Sequence, residues 1–471
     1  MHAAASLCAT TIPQPTTRLR MSSPPSSASS SDDDTDRFGR LLDIEHADLI
    51  ALGTRILRDV AVPASPASSA SPASCAESRV LKICNGSFNL VYILQLEGDA
   101  KMVLRLPIAG KDGSLTGAAR NALESQVATM RYIRSNTALP VPEVYHCDPT
   151  DGNEILAPYV AMAYVLGVSV GEVWFEAAEG RREENRLRIL SQLAGLSALM
   201  RGLRFDTLGS LGPDDRVGPC FETEELYDEA ADSISTEVKS YGPFLTTEAW
   251  FAHLRSRTPV ADASNNYGIA SAKILDVVLP CLPLIQGERC FALTMPDFGP
   301  QNVLVDEHAN ITGLIDWDDA QTRPIYLAFA RYPSWLTRDW DPLMYGWPFS
   351  KETEDSPEEL QRYRDYYLGE LKAALETTPD ADACRFTPKA HIFEALHIAV
   401  SAPPNATAIC GKFAKEAIHL MPHEKRVDGL GENEVAHLWY IGHDGMSNET
   451  WEEIQKGLRS LMAVECAVET D

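Results

Sequence analysis

Apolar and polar positions along this chain follow two rhythms, and the places where the rhythm changes divide it into parts. From Arg79 the period is two. Val80 to Ile83, Val91 to Leu96 and Lys101 to Leu106 are short runs rich in β-branched and aliphatic residues, and they predict three strands. The small-residue turn Asn85-Gly86-Ser87-Phe88-Asn89 joins the first two, and Pro107 ends the third. Over 118–134 the period becomes 3.6, with Leu123, Val127, Met130 and Ile133 on one face of an amphipathic helix. Leu139-Pro140-Val141-Pro142 is an extended connector, because each residue before a proline is pushed away from the helical region. Tyr159 to Leu166 predicts another strand, leaving through Gly167. Beyond Gly171 the pattern is mostly helical, most clearly at Glu183–Leu203, Asp355–Leu375 and Ile392–Ala399. One island interrupts the helices. Between Phe291 and Ala320, the runs Phe291–Thr294, Val303–Val305 and Thr312–Ile315 predict three short strands, the last two parted by the polar turn Asp306–Asn310.

The N-terminal part has a different character. Residues 1–36 are Ala, Ser, Pro and Thr with little aliphatic clustering and read as a disordered low-complexity tail. Residues 37–78 comprise a helical segment, Arg37 to Val60, and the linker PASPASSASPAS from Pro63 to Ser74, which is expected to separate that helix from the main domain. Arg18 and Arg20 precede any acidic residue, as in a mitochondrial transit peptide, but the prolines and Asp32-Asp33-Asp34 oppose that reading, and a cytoplasmic location is expected.

Composition narrows the function classes. At 471 residues, 45% hydrophobic and 23% charged, the chain resembles an ordinary soluble globular protein with room for more than one lobe. A net charge of −26 argues against a nucleic-acid partner, which needs a basic surface. It is compatible with cationic small molecules drawn to an acidic cleft, and equally with a merely solvated acidic surface. No apolar run reaches the roughly 18–20 residues of a membrane helix, so no membrane partner is expected. The ten cysteines contain no C-x-x-C pair, and no histidines cluster at metal spacing. Oligomeric state is not legible.

The strand island carries the chemistry. Asp297 and Asn302 lie on the loop after its first strand, and Asp316 follows its last at once. Loops between rigid strands are where catalytic groups concentrate. Phosphoryl transfer needs a carboxylate to take or orient the proton of an attacking hydroxyl, the role expected of Asp297. Mg²⁺ prefers few oxygen ligands from protein, with phosphates supplying others, and Asn302 and Asp316 can provide them. Asp-x4-Asn followed by a post-strand Asp is the order of kinase-like enzymes.

Here the sequence resembles the aminoglycoside phosphotransferase and choline-kinase-like family, in its fungal branch, over about 80–340. The resemblance implies a bilobal, protein-kinase-like α+β fold: a small antiparallel-sheet lobe at 79–165 and a larger, mainly helical lobe at 166–471. It implies ATP and Mg²⁺ as cofactors and the hydroxyl of a small molecule as acceptor. The turn at Gly86 and Ser87 matches the family's phosphate-covering flap. Arg105 stands where many kinases place the phosphate-pairing lysine, and Gln126 where the helix glutamate that holds that cation would be. Glu124 is about 200° away around the helix and cannot replace it. Met162, Ala163 and Val165 fall at the hinge between lobes, the expected adenine contacts. The family often has His two residues before the catalytic Asp; this chain has Met295, so ordering of the loop is expected from Pro296 and packing. Residues 212–285 are the variable insertion. Met295 and Gln126 leave open a second reading, a nucleotide-binding pseudokinase with a regulatory or scaffolding role. A protein kinase fits less well, since the HRD and APE elements are absent.

Overall fold

The computed structural model describes residues 37–60, 77–176, 179–228, 233–257, 265–285, 287–426, 430–431 and 433–464. The expected low-complexity tail and the linker at 63–74 lie outside these residues. Strands β1 (Arg79–Asn85), β2 (Asn89–Gln95), β3 (Lys101–Pro107), β4 (Val144–Asp148) and β5 (Tyr159–Ala163) form one antiparallel sheet in the order β1-β2-β3-β5-β4. Arg105 sits on its central strand, opposite Val91 on one side and Val160 on the other.

Because side chains alternate across a sheet, its two faces feed two cores. Leu90, Tyr92, Leu94, Met102, Leu104, Tyr159 and Ala161 point to one face and pack there with Phe38, Leu41, Leu49, Leu52 and Ile56. Those last five come from the N-terminal segment, in which α1 spans His46–Val60. The expectation that the linker separates this helix from the domain is therefore corrected. A sheet apolar on both faces must be covered on both, and α1 is the cover of the outer one. Tyr92 Oη seals the seam by donating to the Leu41 carbonyl at 2.7 Å.

The other face looks toward the large lobe. α2 (Gly117–Asn136), capped by Thr116, places Leu123, Val127, Met130 and Ile133 in one core with Val160 and Met162. The chain then runs through β6 (Val168–Ser169), α3 (Val170–Glu176), α4 (Glu179–Met200) and β7 (Arg204–Phe205). The insertion, to which the sequence assigned no structure, holds a long hairpin of β8 (Cys220–Asp228) and β9 (Ser233–Tyr241), followed by α5 (Thr247–Arg257) and α6 (Asn266–Val278). The strand island forms β10 (Phe291–Thr294), β11 (Val303–Val305), β12 (Ile311–Leu314) and β13 (Gln321–Pro324), distributed between two small sheets, β13-β10-β7 and β12-β11-β6. α7 (Pro357–Leu375), α8 (Ala390–Ser401), α9 (Pro403–His419), α10 (Glu434–Gly442) and α11 (Asn448–Met462) complete a bilobal α+β fold.

Gly167, at φ +147°, turns the chain from the small lobe to the large. A Cβ there would lie 2.7 Å from both the Val305 carbonyl and Thr312 Oγ1, so the hinge needs glycine for space as well as for conformation.

Candidate active site

Two small sheets hold the loop between Thr294 and Val303 at both ends. Pro300–Asn302 forms a 3₁₀ turn in which the Asn302 N–H donates to the Gly299 carbonyl at 3.1 Å. The Asn302 carbonyl accepts from the Ile315 N–H at 2.9 Å, tying this loop to the residue before Asp316. Asn302 is buried, and its Nδ2 donates to Asp297 Oδ2 at 3.0 Å, while Gln301 Nε2 donates to the same oxygen at 2.5 Å. Asp297 and Asn302 are thus brought together. Gln301 is a partner that sequence reasoning did not find, although its place between two assigned residues was a signal. Asp297 is exposed to solvent, yet protein crowds round its carboxylate. Its affinity for a proton is raised above the ordinary range, first by burial and then by the charge of Asp316, against the opposing pull of Arg331 and its two amide donors.

Asp316 has φ +64°, an uncommon conformation for a residue with a side chain and one found often at functional sites. Its Oδ1 accepts from Arg105 at 2.9 Å, and the same guanidinium nitrogen donates to Asp318 Oδ2 at 2.8 Å. Asn89 Nδ2, at the end of the flap turn, donates to Asp318 Oδ2 at 2.7 Å. Arg105 therefore finds its counter-charge on the segment after β12. This corrects the expected pairing with Gln126, which is 6% exposed on α2 with its Nε2 in contact with no hydrogen-bond partner. Asp318 makes the contact with Arg105 that was expected of the helix position. Its sequence signal was spacing, two residues beyond Asp316.

The flap is corrected in one detail. The Gly86 N–H donates to the Asn89 carbonyl at 2.9 Å, so it closes the turn and is not free for phosphate. A Cβ on Gly86 would lie 2.9 Å from that carbonyl oxygen, which is why glycine stands there. The Ser87 carbonyl accepts from Arg37 at 2.6 Å, and Arg37 also pairs with Glu225 of β8, so the N-terminal segment ties the flap to the insertion hairpin. The hairpin touches the opposite wall as well, where the Thr223 N–H donates to Asp319 Oδ2 at 3.4 Å. Burial and the adjacent Asp318 charge push Asp319 up to about 7. At the hinge, the Ala163 N–H donates to the Glu143 carbonyl at 2.8 Å and is committed within the lobe. Met162 is buried at the end of β5, and Val165 lies over Gly313 of β12, where an added Cβ would meet its Cγ1 at 2.6 Å.

Loop order does not rest on Pro296 and packing alone. Arg331, 3% exposed, donates to the Met295 carbonyl at 2.5 Å, pairs with Glu394 of α8 at 3.3 Å, and lies 5.5 Å over the Phe298 ring. A buried ion pair from the helical lobe thus grips the residue two before Asp297. Nothing in the local sequence marks it, since Glu394 lies far along the chain.

The donors fit Mg²⁺ in kind. Asn302 Oδ1 remains available once Nδ2 faces Asp297, and the Asp316 carboxylate is 43% exposed, so both are hard oxygen ligands at the cleft. Among the described residues no group of three or more His, Cys, Asp or Glu side chains is gathered to hold a metal alone.

Residues 80–376, well over half of the chain, match the phosphotransferase enzyme family. The chain belongs to that family. Among its relatives, a subtelomeric hrmA-associated cluster protein of Aspergillus fumigatus is 28% identical over 38% of this chain and 32% of its own length. A clavilactone A biosynthesis cluster protein of Ampulloclitocybe clavipes is 24% identical over 57% of this chain and 66% of its own. An altered inheritance of mitochondria protein 9 of Clavispora lusitaniae is 23% identical over 55% and 50%. The chain therefore spans from about a third to two thirds of these relatives. Among solved structures, an aminoglycoside phosphotransferase in complex with ADP and hygromycin B matches at TM-score 0.41 and 15% identity, over 71% of this chain and 93% of that one. Among the described residues no helix is long and apolar enough to cross a membrane.

Proposed function

We propose that this protein transfers a phosphoryl group from ATP to a hydroxyl group of a small molecule. The observation that carries the reading is the pairing of Asn302 with Asp297 beside an Arg105 held by Asp316 and Asp318. Asp297 accepts the acceptor's hydroxyl proton. Burial and Asp316 make it a better base than a free carboxylate, and Gln301 and Asn302 fix one oxygen so that the other faces the acceptor. Arg105 directs charge-assisted hydrogen bonds at the phosphates, and the flap covers them with main-chain N–H groups of Ser87 and Phe88. Asn302 and Asp316 would hold Mg²⁺, which when bound neutralises phosphate charge. The adenine would lie against Met162 and Val165, with main-chain groups of Tyr164 and Val165 in reach.

The alternative, a pseudokinase, rested on Met295 and Gln126. Each departure has a local replacement, Arg331 for the loop and Asp318 for the cation, and this supports the catalytic reading. The test is transfer of labelled phosphate from ATP to a panel of hydroxyl compounds, with calorimetry of Mg-ATP binding. Asp297→Asn should lower transfer by roughly 10²–10⁴ while leaving Mg-ATP affinity near wild type. Absence of Mg-ATP binding by the wild type would end the reading.

A further inference from the structure

β13 runs beside β10, with Arg323 opposite Ala292 and Gln321 opposite Thr294, the residue that opens the catalytic loop. Arg323 is half-buried, its Nε is shut off from water with no hydrogen-bond partner, and among the described residues no carboxylate lies within ion-pairing distance of it. Its guanidinium lies 6.0 Å over the Trp250 ring of α5. Arg323 lies in the field of Glu394, and Glu394 pairs at 3.3 Å with Arg331, which holds the Met295 carbonyl two residues before Asp297, so this corner adjoins the loop that carries the base; the pairing commits one Glu394 oxygen. Three further polar atoms here are buried without a partner: Trp250 Nε1, His253 Nε2 and Glu394 Oε2. His253 stacks on Tyr241 of the hairpin at 4.8 Å, and Tyr241 is itself within the field of Arg323.

A desolvated cation with no counter-charge is costly, and buried charges in folded proteins are ordinarily paired. Arg331 and Glu394 balance one another, so Arg323 leaves this corner with one positive charge. Burial and the like charge of Arg331 depress Arg323 to about 10, and a bound anion would reverse the second effect. A guanidinium stacked on an aromatic face presents a planar fork that matches a carboxylate or phosphate.

Resting on the phosphotransferase reading above, we propose that the acceptor carries an anionic group, carboxylate or phosphate, besides its reacting hydroxyl, and that Arg323 binds that group. The charge of −26 describes the whole surface and favours cations; the local charge beside β13 selects the opposite class.

The test uses the full chain and matched probes: hydroxy acids, sugar phosphates, and the neutral amides or alcohols and cationic amines of the same skeletons. Wild type should phosphorylate at least one anionic member in preference to its neutral and cationic partners. Arg323→Met should raise the KM for that acceptor about 10–100-fold with a smaller effect on kcat, and Arg323→Lys should recover only part of the loss, because lysine keeps the charge but not the planar fork. A calorimetric arm, binding of the same anions to protein loaded with a non-transferable ATP analogue, gives the answer without turnover, and unchanged affinity for the analogue itself shows that the variants fold. Preference for neutral or cationic partners overturns the proposal while leaving the phosphotransferase reading intact. So does equal anion binding by wild type and Arg323→Met, which would make Arg323 structural only. Failure of every probe to bind or react overturns it too, and transfer failing despite anion binding counts against the enzyme reading instead.

Discussion

The sharpest perturbation of the loop is Arg331→Met. Arg331 and Glu394 are 3% and 13% exposed, so removing the arginine leaves a carboxylate buried with one oxygen already unpartnered. Breaking such a pair costs about 3–5 kcal/mol, a large share of the roughly 5–15 kcal/mol that holds a domain folded. At about 2–4 °C per kcal/mol for a chain of this size, the melting temperature should fall by roughly 6–20 °C. The loss should depend on pH in a stated direction. Glu394 already holds its proton more tightly than a free glutamate because of burial, and losing Arg331 removes the main opposing charge. A folded-state value raised above the unfolded one gives stability that is present below the unfolded value and lost as pH rises, so the variant should suffer less at pH 5 than at pH 8. Arg331→Met with Glu394→Met removes the stranded charge and should return to within about 1 kcal/mol of wild type. Activity should behave differently. The Met295 carbonyl loses its donor in both variants, and a displacement of about 1 Å at a catalytic group can cost roughly 10²-fold in rate. Thermal melts set beside kcat for transfer, or for acceptor-independent ATP hydrolysis, make the check. Recovery of kcat together with stability in the double variant would show that the loop does not depend on Arg331, and a single-variant loss under 1 kcal/mol would show that the pair is not desolvated.

Arg105→Ala should weaken Mg-ATP binding by about 1.5–3 kcal/mol, whereas Gln126→Ala, which touches no part of the Arg105 network, should leave nucleotide titrations unchanged. A chain beginning at Glu77 loses the cover of Phe38, Leu41, Leu49, Leu52 and Ile56; at about 1.5–3 kcal/mol each this is on the order of 7–15 kcal/mol, so limited proteolysis should open the small lobe. A chain beginning at Arg37 should resist proteolysis like the full length, and equal resistance of both truncations would refute the assigned role of α1. His391 and His397 are held far below their ordinary value by burial first and then by nearby cations, so they fold neutral. Wild type should therefore lose up to about 1.4 kcal/mol per pH unit per histidine below about pH 6.5, relative to a double Asn variant in denaturant titrations at pH 7 and 5.5.

Local rules carried the sequence reading a long way. Period-two runs located β2 and β3, the 3.6 period located α2, and Asp297, Asn302 and Asp316 lie on the loops where that reading put them. β13 was missed because Gln321-Thr322-Arg323-Pro324 has none of the apolar alternation of a strand; it is one because Thr322 finds partners in Thr207 and Gly209 and its backbone pairs with β10. The hairpin of β8 and β9 is rich in acids; Lys239 pairs with Glu224 across it, and Arg257 of α5 ties it down through Glu222 and Glu224, contacts that no window of sequence shows together. Arg331 with Glu394, and Arg37 with the flap, join residues whose meeting only the tertiary fold decides. Composition misled at α1, since a linker rich in Pro and Ser says how a segment is tethered and nothing about where it lands.

The charges around Asp297 divide into two fields of opposite sign. On the small-lobe side, where the nucleotide is proposed to bind, Arg105 lies between Asp316 and Asp318, and with Asp297 the three carboxylates outweigh the one cation. Such a surface suits a divalent cation carrying phosphates. On the side of α5 and α8, where the acceptor's anionic group is proposed to bind, the Arg331–Glu394 pair is neutral and Arg323 adds one positive charge. Asp297 feels both: Asp316 strengthens it as a base and Arg331 weakens it. With the proposed roles, Asp316→Asn acts twice, removing a hard oxygen ligand and taking basicity from Asp297, the proposed proton acceptor. Asp316→Asn should cost more in the rate of labelled-phosphate transfer than in Mg-ATP affinity measured by calorimetry, because affinity senses only the first of the two losses.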